Sequence, residues 1–120
     1  MTVADPAALV RQYHAAIDRL DFEAIAGFFA DDAAYVSDGV GAAIEGRSAI
    51  IAAFRKYFAE YPDQVSIDEL VETVSTDSAR SVWRLTATST ITGQRLERRG
   101  EEVVRFDGSG RIVEVVVRDA

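Results

Sequence analysis

The sequence predicts an α+β fold: three amphipathic helices, then an antiparallel meander whose strongly bent sheet the helices cover on one face. Two observations carry this. Apolar residues recur at three and four as far as Tyr61, and from Val65 onward the period falls to two, in four runs parted by TDS, TGQ and DGSG turn chemistry. A third is composition: 48% apolar and 28% charged residues let a 120-residue chain build a real core, and residues 1–120 read as one domain. There is no internal repeat, linker or low-complexity segment.

The elements follow in order. Asp5 before Pro6 is a helix start, because the carboxylate caps free amides and proline suits the first helical position. A first helix is predicted from about Pro6 to Leu20, with Leu9, Tyr13, Ala16 and Leu20 on one stripe and Val10, His14 and Ile17 beside it. Asp21 caps a short second helix carrying Phe22, Ile25, Phe28 and Phe29, ending near Asp31 and Asp32. Ala33 to Val36 reads as a short strand. SDGVGAAIEG reads as a loop rimming an opening. Ser48 is the next expected cap, and Ile50, Ile51, Phe54, Tyr57, Phe58 and Tyr61 form the stripe of a third helix halted by Pro62. Strands are expected near Val65 to Ser75, Ala79 to Ile91, Leu96 to Phe106 and Arg111 to Arg118.

Charge and residue usage narrow the function. A net charge of −7 disfavours nucleic acid and anionic lipid as partners. With no cysteine and one histidine, thiolate and multi-histidine metal sites are excluded, and no cofactor motif is present. No metal and no cofactor are therefore expected. The N-terminus MTVADPAALV has neither a basic leader nor a long apolar run, so a cytoplasmic location and no membrane contact are expected.

Glu102 is the residue that most asks for an explanation. Strand alternation places its carboxyl on the same face as Val104 and Phe106, where an acid needs a partner such as Arg84 or Arg98, or a pocket. Trp83, with Leu85 and Ala87 on one face of its strand, suits a pocket wall. Phe28, Phe54 and Phe58 are bulky enough to shape the hollow, and His14 beside Tyr13 is a candidate proton carrier. The arginines at 95, 98 and 99, among Glu97, Glu101 and Glu102, read as cross-strand ion pairs.

The segments LDFEAIAGFFADDAAY, EGRSAIIAAF and EEVVRFDGSGRIVEV, in this order and spacing, resemble the SnoaL-like and ketosteroid isomerase-like branch of the NTF2-like (cystatin-like) superfamily over nearly the whole chain. The resemblance implies a cone, with a curved sheet around its helices, an apolar cavity at the wide end and a homodimer. It places Tyr13 on the helix-one tyrosine that donates to a substrate oxyanion. Glu102 falls on the protonated acid that donates the second hydrogen bond. A carry-over without gaps sets the base at Ser37. The acid Asp38 follows one residue later, so a bulge or loop has to turn it to the pocket.

The expected function is cofactor-free acid/base chemistry, an isomerisation or cyclisation, on a small apolar carbonyl compound. Tyr13, Asp38 and Glu102 are its catalytic residues, and His14, Phe28, Phe54, Phe58, Trp83 and Val104 line the pocket. The alternatives are a non-catalytic ligand-binding or association module of the same fold, and an epoxide hydrolase-like activity using Arg98 and a second acid.

Overall fold

The computed structural model describes residues 5–37 and 43–119. The elements are α1 (Pro6–Asp18), α2 (Phe22–Phe28), β1 (Phe29–Ser37), β2 (Ile44–Glu45), α3 (Arg47–Glu60), β3 (Val65–Ser75), β4 (Ser78–Thr88), β5 (Arg95–Phe106) and β6 (Ile112–Asp119). One curved, unclosed sheet holds all six strands in the order β2-β1-β6-β5-β4-β3. Helix α1 packs on β3 and β4, α3 packs on β1, and α2 bridges the two helices. The three-helix α+β cone expected from the sequence is present.

The helix starts behave as the capping chemistry requires. Asp5 accepts from the Ala7 amide with Pro6 in the first turn, and Asp21 accepts from the Ala24 amide. Helix α1 stops at Asp18, short of Leu20, because Leu20 adopts a left-handed backbone (φ 54°) that no longer continues the helix. Helix α3 is capped at Gly46, not Ser48. Gly46 has φ 91°, a turn open to glycine, and no side chain caps the end.

Three other boundaries differ from the periodicity reading. Helix α2 ends at Phe28, and Phe29 is already extended, so Asp31 and Asp32 belong to the nine-residue strand β1. Within the expected glycine-rich loop, Ile44 and Glu45 pair with Tyr35 and Ala34 as the edge strand β2. The sheet is therefore mixed: β1 runs parallel to β6, with Tyr35 opposite Val115 and Ser37 opposite Val117. Hydropathy can mark a strand, but partner and direction are long-range choices that a local period does not encode. The last strands otherwise form the expected antiparallel meander.

Tyr13, Ile25, Phe29, Val104, Phe106, Ile112 and Val115 lie at the centre of the core, each essentially inaccessible. Gly100 interrupts the inward row of β5. A methyl group there would sit 2.2 Å from the Arg118 carbonyl oxygen and 3.0 Å from the Trp83 ring. The backbone itself would have to move. Gly100→Ala is therefore expected to cost about 1–3 kcal/mol and lower Tm by roughly 5–15 °C, read by differential scanning calorimetry.

Candidate functional site

Register places the inward side chains of the sheet in rows. Asp68 on β3 stands opposite Trp83 on β4, Trp83 opposite Gly100 on β5, Ser81 opposite Glu102, and Leu85 opposite Arg98. These rows face α1 and α3 across a cavity of about 170 Å³, room for on the order of ten water-sized groups. Most of its wall is apolar: Ile17 from α1, Tyr35 from β1, Ile44 from β2, Ile50, Phe54 and Phe58 from α3, then Trp83, Leu85 and Val117. Its polar groups fall into two sets.

The first set centres on His14. Its Nε2 lies 2.7 Å from Glu102 Oε1 and its Nδ1 lies 2.8 Å from Asp68 Oδ2. Burial works to lower the His14 pKa, but the Glu102 charge and the hydrogen bonds to both carboxylates outweigh it and push the value up to about 10. The ring is an imidazolium donating from both nitrogens, held between two acids. Glu102 is 6% exposed, and Ser81 Oγ approaches the same Oε1 at 3.5 Å. Asp18, also on the cavity wall, has its acidity weakened by burial and by Asp68, against the opposing pull of His14.

The second set centres on Arg98. Its guanidinium donates twice to Asp119, from Nε at 3.2 Å and from Nη2 at 2.5 Å, and its Cζ stands 5.4 Å from the Trp83 ring centroid. Tyr57, within hydrogen-bonding reach of Arg98, donates its hydroxyl to Gln64 Oε1. Arg98 and Glu102 share a cavity wall, yet they do not pair with each other: Asp119 takes the arginine and His14 takes the acid. Of the other two arginines, Arg99 approaches Glu69 across the sheet at 4.0 Å, and Arg95 approaches Glu97 on its own strand at 3.9 Å.

The expected site residues are distributed as follows. Glu102, His14, Phe54, Phe58 and Trp83 border the cavity. Phe28 and Val104 do not border it. Val104 is fully buried in the core, and Phe28 packs edge-on against Tyr13 at 5.9 Å between ring centroids. Tyr13 is also fully buried outside the lining, and its hydroxyl has no hydrogen-bond partner among the described residues. Burial drives its pKa well upward, aided by Tyr35 and Glu102, so the phenol stays protonated. Asp38 lies outside the described residues. Ser37, where the gapless carry-over set the base, is buried and borders the cavity.

Sequence reasoning missed Asp68 and Tyr35. Tyr35 lines the cavity, and burial together with the Glu102 charge holds its hydroxyl protonated against the opposing effect of Arg98. Asp68 was hidden by an inversion. Strand β3 turns Val65 and Ile67 outward, 58% and 46% exposed, and gives Ser66 and Asp68 to the cavity. The alternation was legible, but alternation alone does not say which face is inside.

Comparison with known proteins agrees with this architecture. The profile of the SnoaL-like domain family matches residues 10–115. No curated protein matches the chain in sequence. Among solved structures, Rv0760c from Mycobacterium tuberculosis, in complex with estradiol-17β-hemisuccinate, superposes with a TM-score of 0.82 at 22% identity, covering 97% of this chain and 93% of that one. The epoxide hydrolase/cyclase-like enzyme SalBIII, with a role in pyran ring formation in the polyether salinomycin, gives 0.82 at 19% identity, with 94% and 88% coverage. An NTF2-like protein of unknown function from Exiguobacterium sp. 255-15 gives 0.81 at 18% identity, with 93% and 98% coverage. At these identities the structures establish a shared NTF2-like fold, and the profile match over nearly the whole length establishes kinship: the chain belongs to the SnoaL-like domain family.

Proposed function

We propose that this protein binds a small apolar carbonyl compound and moves a proton on it without a cofactor, in an isomerisation or a cyclisation. The observation that supports this most directly is the Glu102 carboxylate in an apolar cavity wall, oriented by His14 through Oε1. Among the described residues both hydrogen bonds to this carboxylate use Oε1, which leaves the lone pairs of Oε2 for a substrate proton. Glu102 thus takes the part of the base, a different role from the neutral donor that the family resemblance implies. Tyr35, a protonated phenol on the same cavity, replaces Tyr13 as the donor to the substrate oxygen.

The steps balance without another reactant. Glu102 removes a proton from the carbon next to the carbonyl, and the C–H electron pair becomes the enolate, its oxygen held by the Tyr35 hydroxyl. Return of the same proton to the γ-carbon of a β,γ-unsaturated ketone completes an isomerisation. Attack of the enolate carbon on a second carbonyl of the molecule completes a ring closure, with the proton passing to the new alkoxide. Asp38, beyond the described residues, is the further candidate for carrying that proton.

The ligands of two similar folds favour a cavity that accepts apolar, oxygen-bearing molecules: the estradiol-17β-hemisuccinate of Rv0760c and the 17-OHP of a computationally designed binder with TM-score 0.81 and 21% identity. The reading also includes a homodimer through the outer sheet face, where Val65, Ile67, Leu70 and Val103 are exposed.

The test is conversion of cyclohexenone from its β,γ- to its α,β-unsaturated form, followed by ultraviolet absorbance. Wild type is expected to turn over. Tyr35→Phe is expected to lose about 10²-fold in kcat. Tyr13→Phe removes a buried hydroxyl with no partner among the described residues, so it should keep kcat within a few-fold and raise Tm. The reverse pattern would return the donor role to Tyr13. Binding of the ketone with no turnover in wild type would sink the catalytic reading in favour of a ligand-binding module.

A further inference from the structure

The two polar sets of the cavity lie at different points along one strand. Arg98 and Glu102 are four residues apart on the same face of β5, about 13 Å at the rise of a strand. Between them stands only Gly100, whose missing side chain leaves the Trp83 indole as the wall between the two poles. Any molecule that reaches Glu102 and fills the cavity along β5 brings its far end to Arg98.

The Arg98 end is built to hold still. Two hydrogen bonds to Asp119 fix the guanidinium, Trp83 packs against it, and Tyr57, anchored on Gln64, touches it from α3. Arginine has five N–H groups, and the pair on Asp119 uses two of them. The positive charge is already matched by that carboxylate. A second carboxylate, arriving from the ligand, would face a neutralised cation and a cavity that also carries Asp18, Asp68 and Glu102. A neutral acceptor oxygen has no such conflict and accepts a charge-assisted hydrogen bond from the remaining donors.

We propose that Arg98, positioned by Tyr57 and Asp119, is a second docking point for a neutral ligand oxygen. The compound this cavity takes is then elongated and two-headed, with a carbonyl at the Glu102 end, an apolar middle against Trp83, and a hydroxyl, ether or second carbonyl at the Arg98 end. This rests on the carbonyl reading of the Glu102 end and adds to it the class of substrate.

Trp83 is the sole tryptophan of the chain and lines the cavity, so its fluorescence reports occupancy. Three probes are titrated: β-tetralone, its derivative with a hydroxyl on the far ring, and its derivative with a carboxylate there. The hydroxyl compound is expected to bind about tenfold more tightly than the parent ketone, and the carboxylate compound no more tightly than the parent. Arg98→Gln should bring the hydroxyl-to-parent ratio to about one. Tyr57→Phe, which leaves the Arg98–Asp119 pair intact, should reduce it several-fold, so the test does not depend on the arginine variant folding. A ratio near one in wild type, a ratio unchanged in Tyr57→Phe and any folded Arg98→Gln, or tightest binding by the carboxylate overturns the second docking point. Turnover of cyclohexenone alongside such a result would leave the catalytic reading standing. A Trp83 signal unmoved by all three probes would overturn both.

Discussion

Glu102→Gln is expected to slow turnover by about 10³-fold while leaving the protein folded, within the range that a positioned base contributes. The amide is nearly the shape of the carboxylate and still offers an oxygen to the His14 Nε2–H group 2.7 Å away, so the cavity wall keeps its geometry. What it lacks is a site for the substrate proton. Glu102→Asp separates position from chemistry: it keeps the base but withdraws it by one methylene, and should fall between wild type and Glu102→Gln. The measurement is kcat at saturating ketone, with circular dichroism to confirm the fold. Activity within a few-fold of wild type in Glu102→Gln would exclude Glu102 as the base and move the search to Asp38.

The second large effect is on stability against pH. Folded His14 holds its proton up to about pH 10, above the ordinary histidine value of 6.5 that the unfolded chain recovers. A group whose pKa is raised by folding stabilises the fold fully below its unfolded value, and loses that contribution as pH rises through the folded one. The contribution of His14 is therefore complete below about pH 6.5 and declines from there to about pH 10. Its full size is on the order of 5 kcal/mol for a shift of this extent. The groups that face the ring are Asp68 from β3, Glu102 from β5 and Asp18 from its own helix, with the Tyr13 ring beside it at 5.5 Å between centroids. Without the imidazolium, Asp68 and Glu102 confront each other across a partly buried gap. His14→Gln should thus be most destabilised near pH 6 and converge on wild type toward pH 10, as measured by urea unfolding at a series of pH values. Parallel stability curves for the two proteins would show that the cation between the acids contributes nothing.

These two expectations meet in one arrangement. A carboxylate meant to accept a proton inside an apolar wall needs something to aim it, and His14 does so through a single hydrogen bond. The cost is that the imidazolium spends both of its N–H groups on Glu102 and Asp68. It is therefore a positioning residue and cannot itself donate to the substrate. In the proposed scheme that duty falls to Tyr35, which lines the same cavity.

The sequence by itself determined the helices, most of the strands and one half of the site. Capping by Asp5 and Asp21, the stop before Pro62 and the two-residue alternation of β3 to β6 are local chemistry, set by neighbours a few residues away. Glu102 was legible for the same reason, since Val104 and Phe106 fix its face. Only the tertiary structure decided what that acid meets. His14 and Glu102 are 88 residues apart and His14 and Asp68 are 54 apart, so their meeting depends on how α1 lies across β3, β4 and β5. The parallel pairing of β1 with β6, which brings Tyr35 and Ser37 to the cavity, has no periodic signature. The inward turn of Asp68 was hidden because a strand of alternating character can present either face, and burial of the whole sheet, not the strand alone, makes that choice.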